Sequence, residues 1–387
     1  MRLFSRAAGY RRRPRAAVLV SAALVAAVTT VMVAALLLTA GCSGADREGA
    51  SGGGDGGKKK LRVLFAGSLI IPIAQLEKEF EAAYPHIDVN MEGHGSIQAV
   101  RIVGDLHEQA DVVITADYRL IPMLLYATQD PDSGKPYAGW NIMFATNEMT
   151  LGYMPESAFA DEAGAGNWFE IMNRDGVRLG ISDPRLDANG YRALMTVKLA
   201  EDFYGEPDLF AKTFGGVFRV PVRAMKTDGV TVISVPEVLE TKGGSHVVVR
   251  PYSVNLLPLL KSGDIDYAFE YESVAKQHGL EYVSLPPELH LGDPAYASTY
   301  EAVTVRLDFQ RFASVKPEFG GEPIRYGATI PSNTREPEAA ELLLAYLLGP
   351  EGQRIMAENH QPMIVPALAD DVDAVPESLR VFCSPVD

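Results

Sequence analysis

The chain has 387 residues, 47% of them hydrophobic and 22% charged, with a formal charge of −15 at pH 7. That length buries a sizeable core and accommodates two lobes. The acidic balance argues against nucleic acid, which calls for basic surface, but leaves room for a local nest of N–H groups that binds an anion.

The first 41 residues read as an export signal. Arg2, Arg6, Arg11, Arg12, Arg13 and Arg15 precede a charge-free apolar stretch, Ala16 to Ala40, which closes on "LLLTAGC". Small residues directly before Cys42 resemble a bacterial lipoprotein box, which implies a lipid anchor at Cys42. Thr39 stands where that box usually has Leu. A signal peptide without lipid and an uncleaved anchor helix are the alternatives. All three put the globular part outside the cytoplasmic membrane. Loss of residues 1–41 removes six arginines and no acid, leaving 29 basic and 50 acidic residues, a charge of −21. The two cysteines, Cys42 and Cys383, and the seven scattered histidines show no zinc-site spacing. Residues 42–60 are Gly-rich and polar and read as a flexible tether.

From Leu61 the pattern is α/β. Leu61–Ala66 reads as a buried strand, and Ile73, Leu76 and Phe80 then share a helical face. Ile87–Met91 alternates as a strand, and Ile97, Val100, Val103 and Leu106 recur at helical spacing. Residues 110–118 give a third strand, 140–154 a long apolar crossing segment, and 177–184 a strand ending in a turn. A helix follows over 190–204. Residues 254–279 read helix, turn, strand, helix; 324–331 is a late strand, and 337–359 two closing helices. Such alternation predicts largely parallel sheets. The segment 207–249 has no clear period.

Two strand-to-helix corners carry Gly-Ser: Gly67-Ser68 and Gly95-Ser96. Helix N-termini offer unpaired N–H groups, glycine permits close approach, and serine adds a hydroxyl. Two such corners at one sheet edge suit a small oxyanion. Serine is equally a good N-cap, so the corners are caps in the competing reading. A nucleophilic Ser68 lacks the G-x-S-x-G elbow and a suggestively placed base.

The ordered set "FAGSLIIP", "GHGSIQAVR", "ADVVITADYRLIP", "WNIMFATNEMTLGY", "DANGYRALM", "AFEYESVAKQHGL" and "GPEGQRIMAEN" resembles the molybdate/tungstate-binding solute-binding proteins of ABC importers, in their archaeal-type tungstate-binding branch. The resemblance spans about Leu61 to Pro366. It implies a two-lobe, type II periplasmic binding protein fold, α/β with parallel or mixed sheets and a ligand cleft between lobes. The expected division is 61–145 for the first lobe, 146–300 for the second, and 301–387 for the return to the first with C-terminal helices.

The resemblance further implies an oxyanion held by Ser68, Ser96, the turn at Asn189, a backbone contact at Ser253 and Tyr271, with no cofactor beyond bound tungstate or molybdate. Asp187 matches one of two carboxylates that approach the metal centre. The second, a Glu, falls on Ser253, so expanded coordination loses one of its ligands. Asp187 has two other readings, a helix cap or a protonated acid. Arg192 adds positive potential to the site or pairs with Asp187. Glu270 and Glu272 are expected on the face opposite Tyr271. The implied partners are the oxyanion and an ABC permease in the cytoplasmic membrane, for a monomeric, non-enzymatic capture protein. Rival readings are a binder of sulfate, phosphate or an organic acid, an anion sensor, and an exported serine hydrolase.

Overall fold

The computed structural model describes residues 58–308 and 317–386. The signal segment, Cys42 and the tether up to residue 57 lie outside the described residues. Among those described, no helix is long and apolar enough to cross a membrane.

Strand β1 (Lys59–Ala66) is buried from Val63 to its end, which is why its apolar residues run on without alternating. It pairs in parallel with β2 (Ile87–His94) on one side and β3 (Val112–Thr115) on the other. Helix α1 (Ile70–Ala83) buries Ile73, Leu76 and Phe80. Helix α2 (Ser96–Gly104) buries Ile97, Val100 and Val103, while Leu106 falls beyond its end and is exposed. Both βα units therefore form as the periodicity predicts.

Four more strands complete this sheet: β4 (Ile142–Thr146), β14 (Arg325–Thr329), β15 (Met363–Ala369) and β16 (Cys383–Pro385). The order is β16-β15-β4-β14-β3-β1-β2. β14 runs antiparallel to both β3 and β4, and β15 antiparallel to β4. The expectation of largely parallel pairing fails here, because β4 and β14 are the strands by which the chain leaves this sheet and comes back to it. Helices α6 (Pro337–Leu348) and α7 (Pro350–Glu358) form where the sequence predicts two helices, and a one-turn helix, Glu377–Arg380, follows them.

The segment 140–154 is not one element. β4 stays in the first sheet, and β5 (Met149–Tyr153) joins a second, five-stranded sheet ordered β11-β5-β10-β6-β9. Its other members are β6 (Leu179–Ser182), β9 (Val247–Arg250), β10 (Tyr267–Tyr271) and β11 (Glu281–Ser284). Helices α4 (Leu257–Ser262) and α5 (Glu272–His278) flank β10 in the chain. A third sheet, ordered β13-β12-β8-β7, uses β7 (Arg223–Thr227), β8 (Val230–Pro236), β12 (Val303–Asp308) and β13 (Glu318–Gly320). Strand β12, within the segment that the sequence reading assigns to the return into the first lobe, pairs in parallel with β8 on one side and antiparallel with β13 on the other.

Helix α3 (Ala188–Tyr204) packs against β5, β6, β10 and β12, and its first ten residues are all buried. It stops at Gly205, whose φ of 67° is left-handed. Its start depends on a second glycine. A Cβ on Gly190 would lie 2.7 Å from Pro184 N and closer still to the Ser182 carbonyl oxygen. Gly190→Ala should therefore cost about 1–3 kcal/mol of stability by forcing the 182–184 backbone outward. Urea unfolding of the variant tests this, and an unchanged midpoint would contradict the packing account.

Candidate functional site

Four segments meet at the carboxyl ends of these strands. β1 ends in a 3₁₀ turn, Gly67–Leu69, that leads into α1. A Cβ on Gly67 would touch Val254 at 3.4 Å, so this corner abuts the 3₁₀ turn Ser253–Asn255. The second corner abuts the loop before α3. A Cβ on Gly95 would sit 2.8 Å from Tyr252 Cδ1 and closer still to Leu186 O. Gln98 N–H donates to Leu186 O, and the Tyr252 hydroxyl bonds the Gln98 side chain. Gly95 is needed here because backbone meets backbone, not for a left-handed φ, whereas a Cβ on Gly67 would make only ordinary contacts.

Neither corner serine caps its helix. The N-cap of α2 is Gly95, and no side chain caps either helix N-terminus. Ser96 Oγ instead accepts the Ala116 N–H at 2.8 Å. Ser68 Oγ lies 2.9 Å from the Tyr326 hydroxyl, which Asn147 Nδ2 also approaches at 3.1 Å. Burial pushes the Tyr326 phenol up to about 12, so it is no base for Ser68 at neutral pH.

Tyr271, at the end of β10, is buried with its ring 6.2 Å from that of Tyr326. Its hydroxyl accepts from Arg192 Nη1 at 2.7 Å, and the same nitrogen donates to Ala116 O at 2.7 Å. The expected pairing of Arg192 with Asp187 does not form as a contact. The guanidinium turns to Asp117, 3.5 Å away. Asp117 also binds Arg119 at 2.7 Å and the Tyr191 hydroxyl at 2.6 Å. Burial opposes its charge, but the two guanidiniums prevail and hold its carboxyl well below the usual range.

Asp187 occupies the N-cap position of α3, yet its side chain makes no capping bond. Oδ2 accepts from the Ser253 N–H at 2.9 Å. That is the same N–H to which the family likeness assigns an oxyanion. Burial raises the pKa of Asp187, against the pull of Ser253 N–H. Asn189 is buried; its Nδ2 faces Met149 Sδ at 3.9 Å, and its Oδ1 has no hydrogen-bond partner. Ser182 Oγ is also buried and unpartnered.

The residue that sequence reading missed is Glu270. It lies on the opposite face of β10 from Tyr271, as alternation requires, but that face is interior: Glu270 is 0% exposed. Neither carboxyl oxygen has a hydrogen bond of good geometry. Burial pushes its pKa up to about 8, reinforced by the charge of Asp187 and opposed by the nearby Ser253 hydroxyl and Tyr271 N–H. A Glu in the otherwise apolar run "YAFEY" was the available signal. Glu272 is not in the strand at all; it begins α5 and pairs with Lys276. Among the described residues no cluster of three or more His, Cys, Asp or Glu could hold a free metal ion.

A family model described as bacterial extracellular solute-binding protein matches residues 61–360. The molybdate/tungstate-binding protein WtpA of Thermococcus kodakarensis is 38% identical over 83% of this chain and 86% of its own length. WtpA of Pyrococcus abyssi is 36% identical over 83% and 89%. Among solved structures, the periplasmic molybdate-binding protein of Azotobacter vinelandii superposes with a TM-score of 0.50 at 17% identity, covering 78% of this chain and 98% of that one. The fold is thus that of the type II periplasmic binding proteins.

Glu270 gives the folded chain a distinctive pH dependence. Below about 4.5 the acid is protonated folded and unfolded alike. Between there and about 8 the folded state holds a proton that the unfolded chain has released, so stability falls as pH rises and the loss is complete above about 8. Glu270→Gln should therefore gain on the parent by about 3 kcal/mol or more between pH 5 and 9. Thermal unfolding across that range measures it; a difference that does not grow with pH would contradict the assignment.

Proposed function

The chain belongs to the bacterial extracellular solute-binding proteins, and from that premise we propose that it captures the tungstate or molybdate oxyanion and hands it to an ABC permease. One observation carries the reading. In a chain 38% identical to a molybdate/tungstate-binding protein, both Gly-Ser corners meet the 186–190 and 252–254 segments at one place.

The donors at that place suit a tetrahedral oxyanion. Ser68 and Ser96 offer hydroxyls beside helix N-termini, Ser253 and the turn at Asn189 offer backbone N–H groups, and Tyr271 offers a phenol. None of them carries a charge. Discrimination against sulfate then rests on cavity size, because tetrahedral oxyanions share one hydrogen-bond pattern. Asp187 is the group that approaches the metal centre of the bound anion, since a carboxylate tolerates a dianion only where it meets the cationic centre. For this, Asp187 gives up Ser253 N–H to the anion.

The cycle needs no bond chemistry. The lobes we take to be built on the seven-stranded and five-stranded sheets, with crossings at Asn147 and ahead of β14, and they close on the anion as a hinge. The family places the protein outside the cytoplasm. A lipid at Cys42 and the tether behind it would keep it within reach of a permease in the same membrane, working as a monomer.

Calorimetric titration of residues 58–387 with tungstate, molybdate, sulfate and phosphate tests this. Tungstate and molybdate should bind at one site and the other two should not compete. Ser68→Ala and Ser96→Ala should each weaken binding roughly ten- to a hundredfold, the worth of a hydrogen bond to a charged group. Silence to all four anions, or serine variants that bind as the parent does, would refute the reading.

A further inference from the structure

A solute-binding protein that takes a dianion has reason to keep acids out of its cleft, yet this one buries two there. Asp187 and Glu270 flank the same residue: Asp187 accepts from Ser253 N–H, and Glu270 lies beside the Ser253 hydroxyl. Glu270 is walled in by uncharged groups. Across β10–β5 it pairs with Thr150, whose hydroxyl is already donated to Val283 O. On the other side β10 runs parallel to β6 with Ala268 opposite Gly180, so Glu270 lies toward the Ser182 end of that strand.

The charged groups around it do not neutralise it. From the start of α3 comes Asp187, a like charge. Arg192, on the same helix, is turned to Tyr271, Ala116 O and Asp117. From α5, Glu272 and Lys276 pair with each other. Lys261 of α4 and Glu281 of β11 are exposed at the surface. Among the described residues no cation bonds either carboxyl oxygen of Glu270. A buried carboxylate with no cation and no good hydrogen bond is strongly disfavoured, and a second acid close by makes it worse. A proton removes both penalties and turns Glu270 into a donor. The Ser253 hydroxyl lies beside it, and Ser182 Oγ is buried with no hydrogen bond of good geometry.

We propose that Glu270 backs the oxyanion pocket as a neutral carboxylic acid and that capture of the dianion is linked to its proton. This rests on the function proposed above. The ionised protein takes one proton from solvent as it takes the anion, because a dianion beside Ser253 makes the charged form of Glu270 still less favourable. Glu270 acts through Ser253, as a positioning residue. It holds the turn that presents the backbone N–H without adding a negative charge.

The test is calorimetric titration of the protein with sodium tungstate at pH 7 and pH 9, each in two buffers of different ionisation enthalpy. The parent should lose affinity by up to tenfold from pH 8 to pH 9 and should take up most of one proton per tungstate at pH 9. Glu270→Gln should show no uptake and no change of affinity over that range. Infrared spectroscopy of the parent gives a readout that needs no variant: a carboxylic-acid carbonyl band present at pH 7, lost at pH 10, and restored by tungstate. Tungstate binding without proton uptake, or uptake that persists in Glu270→Gln, overturns the linkage and leaves the function intact. No tungstate binding at either pH overturns the function itself.

Discussion

A guanidinium that is 3% exposed has to be matched on every side, and the way Arg192 is matched organises this cleft. Its charge is met by Asp117, and its Nη1 is shared between Ala116 O, just past β3, and the hydroxyl of Tyr271, at the end of β10. One side chain on α3 thus joins the end of β3 in the seven-stranded sheet to the end of β10 in the five-stranded one. Removing either partner would strand a buried charge, which is far costlier than losing a surface pair. Ala116 is held from the other side as well, since its N–H donates to Ser96 Oγ. The second corner serine, Arg192 and Tyr271 therefore form one connected chain of hydrogen bonds.

Because Asp117 consumes that charge, the cleft faces a ligand with neutral donors. This has two consequences. Under the proposed function, binding would draw on hydroxyls and N–H groups, and shape and size would decide the choice of anion. The acids at the site, Asp187 and Glu270, form no ion pair: Asp187 accepts an N–H, and in the proposed reading it meets the metal centre when an anion is held, while Glu270 carries a proton. The opposite solution appears at Asp117, which is given two arginines and stays ionised.

Much of this was legible in the chain because it is local. The βα units declare themselves by apolar period, and the Gly-Ser corners by composition. What escaped depends on partners distant in sequence. That Ser68 meets Tyr326 and that Arg192 prefers Asp117 to the nearer Asp187 are facts of tertiary placement. Glu270 was put on the correct face, but its burial escaped, because strand alternation says which face a residue takes, not whether that face is wet. The segment 207–249 hid a hairpin whose signal was present. Asp228 and Gly229, both with positive φ, turn β7 into β8 as an Asp-Gly pair commonly does, but the exposed β7 has no apolar alternation to mark it. The sheet directions went astray because β14 enters from far along the chain and reverses the pairing.

The central claim is that the four converging segments hold the metal oxyanion. Crystals of the protein grown with tungstate, measured at the tungsten absorption edge, locate the metal without any model of the site. The account predicts one strong anomalous peak enclosed by Ser68, Ser96, Ser253 and Tyr271, with Asp187 released from Ser253 N–H. A folded protein with the peak elsewhere, or with none, would contradict it.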